Sequence, residues 1–203
     1  MLDLISTGNR KIAKNTAIFN LCSGTDCPMK NDCFYGITKK CYALKAERLY
    51  KDCLPYRRRQ AAYWTETPID TRINDMVEFF RRKKAIKYFR INESGDIASI
   101  QDLKDLDAIA AALKAAYGIK TYTYTHNLEV LSKYTPTSIV VNVSMDSVNC
   151  SSQYAAVAVG HNVFMGLEDI RENSGFHCPG VGCMDTCKRC VVEHHALTVC
   201  KIH

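Results

Sequence analysis

The sequence lacks the features that mark secreted and membrane proteins. No secretory signal is visible, because residues 1–15 alternate polar and apolar side chains without a continuous apolar stretch. No apolar run approaches the roughly 20 residues that a helix needs to cross a bilayer. Internal repeats and low-complexity tails are absent as well. These absences predict a cytoplasmic protein.

The chain also lacks the short motifs of several large enzyme classes. It has no glycine-rich phosphate loop, no serine nucleophile motif and no paired-carboxylate signature. Cysteine, by contrast, is abundant, with eleven among 203 residues. In a reducing compartment, an odd number of cysteines favours metal binding over a disulfide framework.

The strongest functional pattern lies near the carboxyl terminus. Cys183, Cys187 and Cys190 follow one another at gaps of three and two residues, and Cys178 lies just upstream. Closely spaced thiolates of this kind suit a 4Fe–4S cluster, whereas structural zinc normally takes two separated pairs of ligands. We therefore predict that these four cysteines bind a 4Fe–4S cluster, with zinc as the alternative metal.

The spacing of the last three cysteines resembles the motif by which radical S-adenosylmethionine enzymes hold their cluster. In that family, three thiolates leave one iron open to S-adenosylmethionine, and the motif follows the first barrel strand. The resemblance implies S-adenosylmethionine as a cofactor if the fourth iron is open. Cys178 or an amino-terminal cysteine would close that position.

Residues 1–54 form a loop-rich segment with a second group of cysteines. Cys22, Cys27, Cys33 and Cys41 are spaced too irregularly for a specific metal motif. They are interpreted either as buried thiols, as a second metal site, or as the source of one ligand for the carboxyl-terminal cluster.

Strands and helices alternate in the middle of the chain, within a core at residues 86–166 that precedes the cysteine-rich segment 175–203. Strands are predicted at 86–91, 120–125 and 138–143, with weaker candidates at 155–159 and 162–165. Helices are predicted at 42–51 and 55–64, from a cap at Asp70 or Thr71, between Ser99 and Gly118, and at 128–133. This alternation predicts one α/β domain with a parallel sheet. Its length favours a partial or compact (β/α) barrel, with an open doubly wound sheet as the alternative.

Polar residues follow each of the three main strands. Because the carboxyl ends of parallel strands meet at one edge, these residues predict a ligand pocket there. Asp96 and His126 are the predicted catalytic residues. Contacts to a cofactor or small-molecule substrate are predicted for Glu93, Ser94, Gly95, Asn142 and Ser144. The same strand ends also carry Asp146, to which no role is assigned.

A longer resemblance covers most of the chain. Its elements in order are 8–11, Cys27-Pro28, 41–43, 57–63, 89–96, Tyr124-Thr125, 141–144, Cys178-Pro179 and the closing cysteines. This order resembles the "gene product 88" family of tailed bacteriophages. The resemblance implies a phage-encoded metal protein of the bacterial cytoplasm and supplies no reaction.

Two functional hypotheses follow. The first is an iron–sulfur enzyme, either a redox enzyme served by an electron donor or one similar to radical S-adenosylmethionine enzymes. The second is a binding module whose fold is stabilised by zinc or a structural cluster. It would bind nucleic acid or a host protein through the basic stretches 57–59 and 81–84.

Overall fold

A computed structural model describes residues 2–146, 161–167, 176–179, 184–185, 187–192 and 198–201. The helices are α1 (Phe34–Ile37), α2 (Tyr42–Leu49), α3 (Cys53–Glu66), α4 (Ile69–Arg82), α5 (Ile100–Tyr117) and α6 (Leu128–Lys133). The strands are β1 (Ser6–Thr7), β2 (Thr16–Phe19), β3 (Tyr88–Ile91), β4 (Lys120–Thr125), β5 (Ile139–Met145), β6 (Asn162–Leu167), β7 (Phe176–His177) and β8 (Thr198–Lys201). Short 3-10 helices cover Leu2–Leu4 and Arg189–Val191.

The described strands form one eight-stranded sheet in the order β1-β2-β3-β4-β5-β6-β8-β7. Only β1 runs antiparallel to its neighbour, and every other pair in this order is parallel. The predicted α/β fold with parallel strands is confirmed. Strand order follows chain order up to β6, whereas a doubly wound sheet reverses its order at a switch point. Within the described ranges no strand pair joins the two edges, so this sheet is open and not a closed barrel.

The amino-terminal segment contributes more to the sheet than the sequence predicts. The structure places β2 in this segment, where it pairs in parallel with β3, and all four of its residues are buried. With only three consecutive apolar residues, 17–19, this strand is too short to identify from periodicity. The candidate strand at 155–159 lies outside the described residues, whereas the one at 162–165 belongs to β6.

Helix α5 shows how local sequence sets the boundaries of an element. The side chain of Ser99 accepts the Asp102 N–H and the Asp102 side chain accepts the Ser99 N–H, which forms a complete capping box. At the other end Gly118 adopts the left-handed conformation with φ of 66°. Leu106 and Leu113 on this helix are fully buried against the sheet. The predicted start and end of the helix are confirmed.

Both faces of the sheet are covered. The main core joins the helices to one face through Phe89 and Val143, among other side chains. On the opposite face, Tyr122 and Val140 pack against side chains of the carboxyl-terminal segment, which include Met184, Cys190 and Val191. Double coverage explains why β5 reads as an almost continuous apolar run.

Asp107 connects α5 to the start of β5. Its carboxylate accepts the N–H groups of Thr137, Ser138 and Ile139 and the hydroxyl of Tyr134, at 2.7–3.1 Å. Burial alone would raise the pKa of Asp107, but the hydrogen bonds from Thr137 and Ser138 hold it below its ordinary value. The charged carboxylate is therefore part of the fold.

We expect Asp107→Asn to lower the free energy of unfolding by about 2–3 kcal/mol at pH 7, because the amide cannot accept all four donors. An aspartate with a lowered pKa contributes stability above the unfolded value of about 3.9 and loses it as the pH falls through the folded value. The difference in unfolding free energy between wild type and Asp107→Asn should therefore become smaller below about pH 4. Urea denaturation at several pH values measures it. The exposed Asp70 is the control; equal losses in Asp70→Asn and Asp107→Asn would contradict the assignment.

Candidate functional site

His126 lies between two buried carboxylates at the carboxyl edge of the sheet. Its Nε2 is 3.4 Å from Oδ2 of Asp146, and its Nδ1 is 3.8 Å from Oδ2 of Asp96. Asp96 and Asp146 are only 3% and 2% exposed. Burial alone would lower the pKa of His126, but hydrogen bonding to Asp146 and Asp96 raises it to about 9. The imidazole is therefore protonated at neutral pH.

The two carboxylates are held by donors from several elements. Asp96 accepts the N–H of Ile97 at 2.7 Å, the hydroxyl of Thr125 at 2.5 Å and the N–H of His126 at 2.8 Å. Asp146 accepts the N–H of Phe34 at 2.9 Å, which ties β5 to the start of α1. These contacts connect the loop after β3 with the ends of β4 and β5 in a fixed geometry. We refer to Asp96, His126 and Asp146 as the strand-end array.

The structure brings together the two predicted catalytic residues, His126 and Asp96, and adds Asp146. Sequence analysis assigned Asp146 no role, although it follows β5 directly. Its position at a strand end is the signal that was available.

The loop after β2 places Cys22 and Cys27 beside Asp96. The two thiols hydrogen-bond to each other, so the pKa of Cys22 lies below its ordinary value and that of Cys27 above it. The sulfur of Cys22 also lies 3.7 Å from the carbonyl oxygen of Asp96. The charge of Asp96 acts on both thiols and disfavours their ionisation.

Cys33 and Cys41 belong to the same neighbourhood. Cys33 caps α1, where its sulfur accepts the N–H of Gly36 at 3.3 Å. Burial raises the pKa of Cys33, the N–H of Gly36 lowers it, and the charge of Asp146 raises it further. All four amino-terminal cysteines are free thiols. Their role is open in the sequence; the structure places Cys22, Cys27 and Cys33 beside the carboxylates of Asp96 and Asp146, and Cys41 beside Cys33.

Gly95 allows a close approach between two loops. Its φ is +76°, and a Cβ atom built there would lie 2.2 Å from the sulfur of Cys22. The predicted role of Gly95 was to admit a ligand, but the close approach that the structure shows is to Cys22.

Glu93 and Ser94 follow β3 and are held by polar contacts. The carboxylate of Glu93 accepts the side-chain amide of Asn9, and its carbonyl accepts the hydroxyl of Tyr42. Ser94 is 2% exposed, and its N–H donates to Oδ1 of Asn20 at 2.8 Å. Both residues therefore lie at the predicted edge.

Asn142 anchors the carboxyl-terminal segment to the sheet. Its buried amide donates to the carbonyl oxygens of Thr123 at 3.1 Å and Cys190 at 3.0 Å. Asn162 repeats this contact one strand further, donating to the carbonyl of Val192 at 2.8 Å. Ser144 is half-buried near the end of β5. The role of Asn142 and Ser144 in cofactor binding stays a prediction.

Three of the four predicted cluster ligands lie among the described residues, and Cys183 lies outside them. Cys190 is buried and hydrogen-bonds to Tyr124, whereas Cys178 and Cys187 are half-buried. The N–H of Met184 donates to the carbonyl of Cys187 at 2.7 Å. In the part of the chain that the structure describes, no three His, Cys, Asp or Glu side chains converge as metal ligands. The cluster therefore stays a prediction.

The model of the Gene product 88 family matches residues 3–195. The chain belongs to this family. The matched range includes the strand-end array and both cysteine groups, so the family pattern spans all the site residues described above. No curated protein and no solved structure matches the chain.

The basic stretches of this gene product 88 protein are largely paired. Arg57 is buried and forms an ion pair with Glu47 at 2.8 Å. The remaining pairs on the surface are Arg58 with Asp26, and Arg81 and Arg82 with Glu78. Among the described helices, none is long and apolar enough to span a membrane.

We expect the charged His126 to stabilise the fold in a pH-dependent way. A histidine with a raised pKa contributes fully below its unfolded value of about 6.5 and loses this contribution as the pH rises through the folded value. His126→Gln should therefore cost up to about 3 kcal/mol of unfolding free energy at pH 6, and the difference should shrink towards pH 9. Chemical denaturation across this range measures it. The exposed His177 supplies the control variant His177→Gln. A gap that stays constant with pH would contradict the raised pKa.

Substitution of Gly95 tests the approach to Cys22. Gly118 also has a positive φ, but a Cβ atom there meets nothing within 4 Å. Gly118→Ala should cost only the backbone strain, about 1 kcal/mol, whereas Gly95→Ala must also displace Cys22 and should cost at least about 2 kcal/mol. Thermal unfolding of both variants compares them. Equal destabilisation would show that the Cys22 contact does not restrict this position.

Proposed function

We propose that this protein is an iron–sulfur enzyme with its reaction site at the carboxyl edge of the sheet. Thiolates would hold a 4Fe–4S cluster, and the Asp96–His126–Asp146 array would exchange protons with a small substrate. The observation that carries the proposal is the gathering of free cysteines around a buried carboxylate–histidine array. Parallel α/β proteins bind their ligands at this edge.

The proposed cluster ligands are Cys183, Cys187 and Cys190, with Cys178 or an amino-terminal cysteine as the fourth. Cys190 contacts Tyr124, only two residues before His126. The side chain of Asn15 donates to the carbonyl of Met184 at 3.2 Å, so the two ends of the chain meet. Because the described thiols alone do not converge as ligands, the proposal requires Cys183 in the set. When bound, such a cluster would supply single electrons.

His126 is suited to proton transfer. At neutral pH its imidazolium is charged, and the carboxylates of Asp96 and Asp146 compensate this charge. Their hydrogen bonds to the backbone keep both carboxylates in place when the proton moves. His126 would thus donate a proton to a substrate at this edge and recover it as the two carboxylates favour the charged form.

The identity of the fourth cluster ligand decides between two reaction types. An open iron would favour S-adenosylmethionine as the cofactor, as the resemblance to radical S-adenosylmethionine enzymes implies. A fourth thiolate would favour electron transfer with an electron donor as partner. The alternative is still a metal-stabilised module that binds nucleic acid or a host protein. The ion pairs of Arg57, Arg58, Arg81 and Arg82 reduce the positive charge that such a surface would offer.

Metal analysis of protein purified without oxygen tests the proposal. We expect about four irons per chain and an electron paramagnetic resonance signal after reduction. Cys183→Ser and Cys187→Ser should lose most of the iron, whereas Cys53→Ser, at the start of α3, should keep it. Single Ser variants of Cys178, Cys22, Cys27, Cys33 and Cys41 identify the fourth ligand. A signal that changes when S-adenosylmethionine is added would show an open iron, and a colourless protein with stoichiometric zinc would overturn the proposal.

A further inference from the structure

Three buried donors at the carboxyl end of β3 lack an acceptor among the described residues. They are Nε of Arg90, Nδ2 of Asn92 and Oγ of Ser94. Buried donors in folded proteins almost always have a partner, so a cluster of exceptions within five residues requires an explanation. The cluster lies where parallel sheets bind ligands.

Arg90 differs from the two buried arginines, Arg57 and Arg72, in having no ion pair among the described residues. Arg57 pairs with Glu47 at 2.8 Å, and Arg72 pairs with Asp105 at 2.5 Å. For Arg90 no carboxylate lies within ion-pair distance in the described part of the chain. The half-buried guanidinium of Arg90 therefore has a buried Nε–H that no ion pair uses within the described ranges.

The neighbours of the Arg90 guanidinium are aromatic rings. It lies over the ring of Tyr124, 5.0 Å from the ring centre. The rings of Tyr122 and Tyr42 also lie near it; burial lowers its pKa, and the charge of Glu93 raises it. The carboxylate of Glu93 accepts the amide of Asn9, so this acid is already hydrogen-bonded.

Asn92 and Ser94 are held in place by contacts that leave their donors available. Oδ1 of Asn92 accepts the N–H of Leu21 at 2.9 Å, and the residue adopts a φ of 59° that few residue types other than glycine tolerate. The N–H of Ser94 donates to Asn20, but its hydroxyl has no partner among the described residues. Unsatisfied buried donors are rare in folded proteins, so these two call for a partner.

We propose that Arg90, Asn92 and Ser94 bind an oxyanion group of the substrate, a carboxylate or a phosphate. The guanidinium supplies the charge and paired N–H groups that match such a group, and the amide and hydroxyl add further donors. The stacked ring of Tyr124 keeps the guanidinium in place. This inference goes beyond the iron–sulfur proposal, since it depends on no metal.

Side-chain NMR of the full-length protein tests the inference. Inorganic phosphate and acetate are titrated separately at constant ionic strength, with sodium chloride as the reference, while the Arg Nε–H resonances are followed. The signal that disappears in Arg90→Gln identifies Arg90. We expect it to shift saturably with one of the two anions. Arg90→Lys keeps the charge but loses the paired donors and the Nε–H signal, so its binding is followed by the side-chain amide resonance of Asn92 and should be weaker by about tenfold or more. Ser94→Ala should weaken binding less, and the exposed Arg58→Gln should leave it unchanged.

The two titrations distinguish the sources of the oxyanion. Saturation by phosphate alone indicates a phosphorylated substrate, and saturation by acetate indicates a carboxylate. No saturable shift with either anion, or equal binding by wild type and Arg90→Lys, would overturn the inference. Binding by iron-free protein supports it even if metal analysis contradicts the cluster, so the two proposals fail separately.

Thermal unfolding separates ligand binding from a structural role. Arg90→Gln should change the melting temperature little, because among the described residues no carboxylate forms an ion pair with Arg90 that the substitution would break. Arg72→Gln should lower it, because Asp105 loses its partner. If Arg90→Gln lowers the melting temperature as much as Arg72→Gln does, Arg90 has a structural role and the inference is overturned.

Discussion

The carboxylate of Asp96 is the constraint on which the strand-end site depends. It accepts donors from its own loop and from the end of β4, and it lies beside the ring of His126. Its backbone carbonyl contacts Cys22, so Asp96 also positions the loop after β2 that carries Cys22 and Cys27. This buried charge therefore acts on the protonation of the histidine, together with Asp146, and on the ionisation of the nearby thiols, which depends first on the hydrogen bond between Cys22 and Cys27. Burial makes these effects strong, because little water screens the charges.

The second organising feature is the coverage of both sheet faces. Helices cover one face, and the carboxyl-terminal segment covers part of the other, held by the amides of Asn142 and Asn162. This arrangement brings Cys190 close to the strand ends from one side while the amino-terminal cysteines approach from another. Arg90 lies on the face with Tyr124, opposite the main core, and its unpaired donors contrast with the fully paired carboxylate of Asp107.

Local signals predicted most regular elements correctly. The capping box at Ser99 and the left-handed Gly118 bound α5, and β4 and α6 begin and end at the predicted residues. These signals depend on neighbours in sequence, so they can be interpreted without the fold. The strand β2 was missed because its burial comes from β3 and the helices, which lie far away in sequence. His126 and Asp96 were predicted from their positions after strands, because parallel strands place such residues on a common edge.

The sequence by itself determined the α/β class, the edge at which the polar residues meet and the family of the chain. Strand order and the open edge of the described sheet came only from the tertiary structure, because hydrogen bonding between strands depends on partners distant in sequence. The same holds for the position of Asp146 against His126, for the packing of the loop after β2 against Gly95 and for the buried Nε of Arg90, which has no acceptor among the described residues. Each of these depends on which groups share a low-dielectric space, and no spacing along the chain specifies that.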